Sequence, residues 1–166
     1  MAFGTGHHTT TQLCLLALQV LNLSDAFVLD VGTGSGVLAI AARKLGAARA
    51  LGIDNDPEAI RCANENVELN PGIDNVAFAV ADVAEFAARP MSDDERPLVV
   101  TANLTGALLC RVAPALSTVF APGGALIVSG VLAEERDEVI AGFGDLDVVW
   151  EAEEAGWVGL GFARLL

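Results

Sequence analysis

The stretch Leu29-Asp30-Val31-Gly32-Thr33-Gly34-Ser35-Gly36 constrains the fold more than any other part of the chain. The apolar run Phe27-Val28-Leu29 enters it, and a helical pattern from Val37 to Gly46 leaves it. That succession reads as a buried strand, a glycine turn and a helix N-terminus. Glycines there let the backbone bend sharply and let a ligand touch the main chain. The next apolar run, Ala50-Leu51-Gly52-Ile53-Asp54, ends in a carboxylate. Units of this kind build open parallel sheets, whose ligands lie across the carboxyl ends of the strands. A nucleoside lying there would bring its ribose to Asp54.

The rest of the chain continues the alternation. Met1 to Thr11 is rich in Gly and Thr and reads as a loop. A helix is predicted over Gln12 to Leu21, capped by a Thr of the Thr9–Thr11 run. After the strand Phe27–Val31 come a helix from Gly36 to Leu45 and a strand from Ala50 to Asp54. Asp56-Pro57-Glu58 starts a helix that reaches about Leu69, where Asn70-Pro71-Gly72 stops it. Val76 to Val80 is a strand, followed by Asp82 and a short helix over Val83 to Ala88. Arg89 to Arg96 reads as an exposed loop. The strand Leu98 to Ala102 ends at Asn103. A helix covers Gly106 to Phe120, with Pro114 interrupting it or marking a break. Ala125 to Ser129 is a strand, Leu132 to Phe143 a helix, and Leu146 to Trp150 and Trp157 to Leu166 are strands. Glu151 to Gly156 is short enough to join that last pair as an antiparallel hairpin.

These elements predict one α/β domain over residues 1–166. It has a Rossmann-like, seven-stranded, mostly parallel sheet with one antiparallel strand, and helices on both faces. A chain of 166 residues that is 53% hydrophobic has enough apolar side chains to bury such a sheet. The formal net charge of −13 argues against free nucleic acid as a partner, because phosphate binding needs a basic face, and leaves a basic protein partner open. Cys14, Cys62 and Cys110 have no metal-ligand spacing, so no metal is expected and all three read as buried, reduced thiols. The start Met1-Ala2-Phe3-Gly4 lacks the features of a signal peptide, and no apolar run is long enough to span a bilayer. The expected location is the cytoplasm, with no membrane partner. The oligomeric state is not legible.

The spacing Gly32-x-Gly34-x-Gly36 differs from the GxGxxG of dinucleotide sites, where a helix N-terminus meets a pyrophosphate; here the third glycine comes one residue early. Asp30 lies two residues before the first glycine, and no basic residue follows before Arg43. A phosphate would be repelled there and a cationic ligand welcomed. S-adenosylmethionine fits: it carries a sulfonium, an α-amino group, a ribose and an adenine, without phosphate. Asp30, Gly32, Gly34 and Gly36 are candidate contacts at the turn. Asp54, with Asn55 beside it, suits the ribose hydroxyls, and Asp82 suits the adenine amino group. Asn103 has two readings. Its amide could accept a hydrogen bond from an amine nucleophile and aim it at the methyl carbon, which is catalysis by orientation. It could instead simply cap the following helix.

Five segments together resemble the ribosomal protein L-eleven methyltransferase family (PrmA). They are Phe3-Gly4-Thr5-Gly6-x-His8-x-Thr10-Thr11, Leu29 to Gly36, Asp54-x-Asp56-Pro57-Glu58-Ala59, Ala102-Asn103-Leu104 and Pro122-Gly123-Gly124-x-Leu126-Ile127-x-Ser129-Gly130. The resemblance implies a class I methyltransferase that uses S-adenosylmethionine to methylate protein nitrogen, at lysine ε-amino or α-amino groups of a ribosomal protein. It implies that Thr11, Gly32, Asp54 and Asn103 contact the cofactor, that Phe3, Gly4, Thr5 and Gly6 line the site, and that residues 1–25 form a loop and helix over it. Family members carry an N-terminal substrate-recognition domain before this segment, so the expectation is a catalytic domain alone, as a fragment or as a natural single-domain relative. The sequence also departs from the family at His7, at Thr9 and at Leu104-Thr105-Gly106. His8 reads either as a general base or as a hydrogen-bonded loop histidine. Trp150 and Trp157 read as packing residues, with Trp157 also able to face an acceptor. Glu151, Glu153 and Glu154 read as a solvated turn or as an edge for a basic substrate. Two further readings stay open: a small-molecule or other-protein methyltransferase of the same fold, and a non-catalytic cofactor-binding module that needs a partner.

Overall fold

Strand β1 (Phe27–Val31) lies inside the sheet because four of its five residues are buried and none is a glycine or proline. The other strands are β2 (Arg49–Asp54), β3 (Val76–Val80), β4 (Val99–Asn103), β5 (Ala125–Leu132), β6 (Asp147–Glu154) and β7 (Trp157–Ala163). The computed structural model describes residues 8–165, so the expectations for Phe3, Gly4, Thr5 and Gly6 lie outside the described residues. The strand order is β3-β2-β1-β4-β5-β7-β6. β7 runs antiparallel to both β5 and β6, and the remaining pairs are parallel. This is the Rossmann-like sheet expected, with β7 as its one antiparallel strand. The order reverses between β1 and β4, which is where such sheets bind ligands.

Helices cover both faces. On one side lie α1 (Thr9–Gln19), α2 (Val37–Lys44) and α3 (Pro57–Glu68). There Cys14, Ala17 and Leu18 of α1 and Leu38 and Ala42 of α2 pack on Val28, Val99 and Ile127. On the other side lie α4 (Val83–Ala87), α5 (Gly106–Val119) and α6 (Arg136–Gly142). Phe86, Leu109, Leu116, Val139 and Phe143 pack there on Leu29, Val100, Leu126 and Leu160. Alternation along β1 follows: Val28 and Asp30 face the first layer, Leu29 and Val31 the second. Among the described residues no helix is long and apolar enough to cross a membrane.

Several boundaries differ from the sequence reading, each for a local reason. α1 starts at Thr9, and its cap is His8, whose ring Nδ1 accepts from the Thr10 N–H at 3.3 Å, so no Thr caps this helix. α5 runs through Pro114 without a break; the ring removes one helical donor without ending the helix. β5 continues past Ser129 to Leu132, because Gly130 at φ +88° lets the strand bulge and resume pairing with β7. Ala133–Glu135 then forms a 3-10 turn before α6, where one continuous helix was expected. β6 extends to Glu154, leaving Ala155 and Gly156, both at positive φ, as the hairpin turn. Cys14 is buried, whereas Cys62 and Cys110 are only partly so; none of the three is in a disulfide.

Candidate active site

The carboxyl ends of β1, β2 and β4 open into a cleft of about 870 Å³. That size suits a ligand as large as a nucleoside with a side arm. The turn after β1 forms the base of one wall. Gly36 caps α2 in the left-handed region at φ +82°, where a side chain is strained. A methyl group there would also stand 2.6 Å from the Phe78 ring. The turn is tied down from outside. Thr33 N–H donates to the Ile53 carbonyl at 3.0 Å, and the Asn66 side chain of α3 donates to the Ser35 carbonyl at 2.8 Å.

Beneath the turn lies Asp30, 2% exposed. Thr33 and Thr101 hydroxyls each donate to one of its oxygens at 2.6 Å. Strand register builds this arrangement: Asp30 lies opposite Gly52 of β2 and opposite Thr101 of β4. A methyl group on Gly52 would stand 2.4 Å from the Thr33 hydroxyl, so the missing side chain leaves Thr33 its room. Burial pushes the Asp30 carboxyl up to about 6; the Thr101 and Thr33 hydroxyls oppose that, and nearby Asp54 adds to it. The Cys14 thiol in the layer above is pushed up by its own burial and by Asp30.

Asp54 stands at the end of β2 on the cleft wall. Its Oδ2 accepts from the Gly34 N–H and its Oδ1 from the Asp56 N–H, both at 3.0 Å. An ionised carboxylate offers about four lone-pair positions, so it can still accept from a diol. Asp82 lines the cleft while capping α4, its Oδ1 accepting from the Ala84 and Glu85 N–H groups. Asn55 lines it too. Across the cleft, Asn103 ends β4 beside Leu104, Thr105 and Gly130. Thr105 caps α5, accepting from the Leu108 N–H at 3.4 Å, so Asn103 is not the cap. A methyl group on Gly130 would lie 2.1 Å from the Leu104 carbonyl oxygen and 3.2 Å from Asn103 Oδ1. Only a bare glycine lets the end of β4 and the Leu104 carbonyl approach so closely.

The structure thus gathers Gly32, Gly34, Asp54, Asn55, Asp82 and Asn103 around one cleft. It places Asp30, Gly36 and Thr11 behind the wall, all buried. Asp30 was expected to meet the ligand; its oxygens instead serve the two threonine hydroxyls. Thr11 is fully buried and bonds Asn103, whereas its neighbour Thr10 lines the cleft. His8 lies edge-on to Trp157, with 5.5 Å between ring centroids, and its Nδ1 sits 2.7 Å from the Thr10 hydroxyl. Trp157 also lines the cleft. Arg61 and Arg111 on the outer walls went unread in the sequence, and Cys62, read only as a buried thiol, lines the cleft with them. The helical spacing of Arg61 and Cys62 after Asp56-Pro57 was the available signal. Arg61 is paired with Glu58 and Glu65. Among the described residues no three His, Cys, Asp or Glu side chains are grouped to hold a metal ion.

The family model described as ribosomal protein L11 methyltransferase (PrmA) matches residues 1–164. The chain belongs to the ribosomal protein L11 methyltransferase family. A relative of that name from Geotalea uraniireducens is 42% identical over 176 residues, covering 98% of this chain and 54% of its own length. One from Escherichia coli O8 is 42% identical over 157 residues, covering 93% and 51%. The chain therefore spans about half the length of the curated relatives it matches. The crystal structure of a ribosomal protein L11 methylase from Lactobacillus delbrueckii subsp. bulgaricus superposes with a TM-score of 0.86 at 30% identity, covering 97% of this chain and 81% of that one. An RNA methyltransferase from Salinibacter ruber, in complex with S-adenosyl-L-homocysteine, shares the fold at a TM-score of 0.72 and 20% identity.

Proposed function

We propose that this chain is an S-adenosylmethionine-dependent methyltransferase domain that methylates amine nitrogen, with ribosomal protein L11 as its substrate. The observation that carries this reading is one cleft lined by carboxylates on one wall and by Asn103 and Leu104 on the other. Asp54 stands beside the glycine turn and Asp82 at the next strand end. Asn103, Leu104 and Gly130 line the same cleft, with Asn103 Oδ1 and the Leu104 carbonyl both close against Gly130. The cofactor fits this donor set. Acceptor groups suit a ribose diol, an adenine amine and an ammonium, and the turn itself carries no cation to favour a phosphate. When bound, it supplies an electrophilic methyl group on a sulfonium.

The chain's own residues do the rest. Asp54 would hold the ribose hydroxyls, and Asp82 Oδ2 the adenine amino group. Asn103 Oδ1 and the Leu104 carbonyl would accept the N–H bonds of a neutral amine and so point its lone pair into the cleft. Orientation of that kind supplies much of the rate when two reactants are held in line. Leu104, Leu108, Val112 and Trp157 make the acceptor side apolar and limit water there. The negative charge favours a basic protein over free nucleic acid as partner, and a ribosomal substrate places the activity in the cytoplasm. A single domain over residues 1–166 is the matching organisation.

Calorimetry with S-adenosylmethionine, followed by transfer of a labelled methyl group to ribosomal protein L11, tests this. Binding with transfer supports the proposal. Binding without transfer to L11 leaves a cofactor-binding domain that depends on the remainder of its longer relatives. Absence of binding removes the central claim.

A further inference from the structure

We infer that Glu135 is a positioning residue: its carboxylate is a strut that joins the end of β5 to the start of α5 and so fixes the acceptor side of the cleft. The inference rests on the methyltransferase reading. Glu135 closes the 3-10 turn Ala133–Glu135, stands half-buried and does not itself line the cleft. Its Oε2 accepts from the Leu132 N–H at 2.9 Å, where β5 ends. The same carboxylate lies against Gly106, the first residue of α5. A methyl group there would stand 2.8 Å from Oε2, 2.9 Å from the carboxyl carbon and 3.2 Å from Oε1. Gly106 is buried, and it belongs to the stretch Leu104-Thr105-Gly106 where the sequence departs from the family. Its missing side chain is the room the carboxylate occupies.

What the strut joins gives it a role in the reaction. Leu104, Thr105 and Leu108, around the first turn of α5, line the cleft, and so does Trp157, which pairs with Leu132 at the end of β5. The Ala133 N–H donates to the Gly156 carbonyl at 2.9 Å, so the same 3-10 turn also holds the β6–β7 hairpin. Next to it, Arg136 pairs with Glu151 of β6. The two halves of the acceptor side, α5 and the β5–β7 corner, therefore meet at one carboxylate. An ionised carboxylate only accepts hydrogen bonds, so the sense of its bond to Leu132 is fixed. A helix N-terminus carries partial positive charge and unpaired N–H groups, which favours a negative group at Gly106. Asp54 and Asp82 stand on the opposite wall and share no hydrogen-bond partner with Glu135. Losing the strut therefore loosens the seat of the amine and leaves the seat of the cofactor alone. Catalysis by orientation is sensitive to such small displacements.

The test compares Glu135→Ala, which removes the strut, with Glu135→Gln, which keeps its shape and one acceptor. Three quantities are measured on the full chain: kcat/KM for methyl transfer to L11, affinity for S-adenosylhomocysteine, and hydrogen exchange of the Leu132 and Leu108 amides by NMR. Glu135→Ala is expected to lower kcat/KM roughly tenfold, as loss of one hydrogen bond to a charged group implies, and to speed exchange at both amides. Affinity stays within about twofold, because the cofactor wall shares no partner with the strut, and Glu135→Gln recovers most of the loss. Gly106→Ala is expected to lower kcat/KM severalfold in the parent, where it displaces the carboxylate, and hardly at all in Glu135→Ala, where the room is vacant. Equal losses in both backgrounds overturn the proposal. So does unchanged kcat/KM or unchanged Leu108 exchange in a folded Glu135→Ala, or in Glu135→Ser should the alanine variant not fold. A fall in cofactor affinity as large as the fall in kcat/KM overturns it as well. A parent chain that binds no S-adenosylhomocysteine or methylates no L11 defeats the methyltransferase reading, and the exchange result then still decides whether Glu135 ties β5 to α5.

Discussion

Asp30 and Asp54 stand two strands' ends apart on either side of one glycine turn, yet they live in different solvents. Asp30 lies in the floor, 2% exposed, with both oxygens bound by threonine hydroxyls. Asp54 lies on the cleft wall, and its partners are backbone N–H groups at the mouth of the turn. The floor carboxylate is a structural tie between β1, β4 and the turn. The wall carboxylate lines the cleft. Burial separates the two positions: Asp30 lies behind the wall, whereas Asp54 is partly exposed and lines the cleft.

The widest effect expected on this contrast comes from pH. The Asp30 carboxyl rises from an ordinary 3.8 to about 6 in the fold. Below the first value both folded and unfolded chains are protonated there, and the group has no influence. Between the two, the folded chain keeps a proton that the unfolded chain has lost, so stability falls as pH rises, with the full penalty present above about 6. Two units correspond to about 3 kcal/mol. Asp30→Asn should therefore gain stability relative to the parent by about that amount between pH 4 and pH 7 in urea melts. A flat difference would mean that the floor is not a desolvated site.

Next is Gly52→Val, which pushes a side chain into the Thr33 hydroxyl and the Phe78 ring. It should destabilise by about 2–3 kcal/mol, as overpacking does, and unfolding midpoints would read it. Asp54→Ala should leave the floor intact and weaken cofactor binding by about 2 kcal/mol, near thirtyfold, by calorimetry. If it lowers stability more than affinity, the assignment of floor and wall is reversed. The smallest effect belongs to Asp82→Asn. Asn caps helices about as well as Asp, so stability should move by less than about 0.5 kcal/mol. Binding of the adenine ring should still weaken measurably, and an unchanged affinity would take Asp82 off the ligand.

Much of this was legible in the sequence, because strands and turns announce themselves locally. Val76–Val80 ends where the apolar run ends, and Asp56-Pro57-Glu58 states its own helix start. Asp54, Asp82 and Asn103 line one cleft, as their positions in the sequence imply, because strand ends share one edge. Asp30 was misplaced for a reason that no local pattern contains. Its side chain points into the α1–α2 layer, where Thr33 and Thr101 await it, and that depends on pairing with β4, 71 residues away. The hydrogen bond between Thr11 and Asn103 was not legible either, because it exists only after α1 has packed on the sheet. His8 as a cap and the bulge at Gly130 were missed because caps by histidine and late strand continuations leave weak local signals.

The strand order has a kinetic consequence. β1, β2 and β3 lie side by side and meet through short crossovers, so that half of the sheet assembles from near neighbours in sequence. β4 must come back past all of them to pair with β1. Closing so long a loop costs entropy before any contact repays it, and distant pairings slow folding. Until it closes, Asp30 lacks one of its two hydroxyls and the cleft lacks the wall that bears Asn103. In refolding, helix content should return first and the cleft should be completed last, so closure of the cleft reports on completion of the fold.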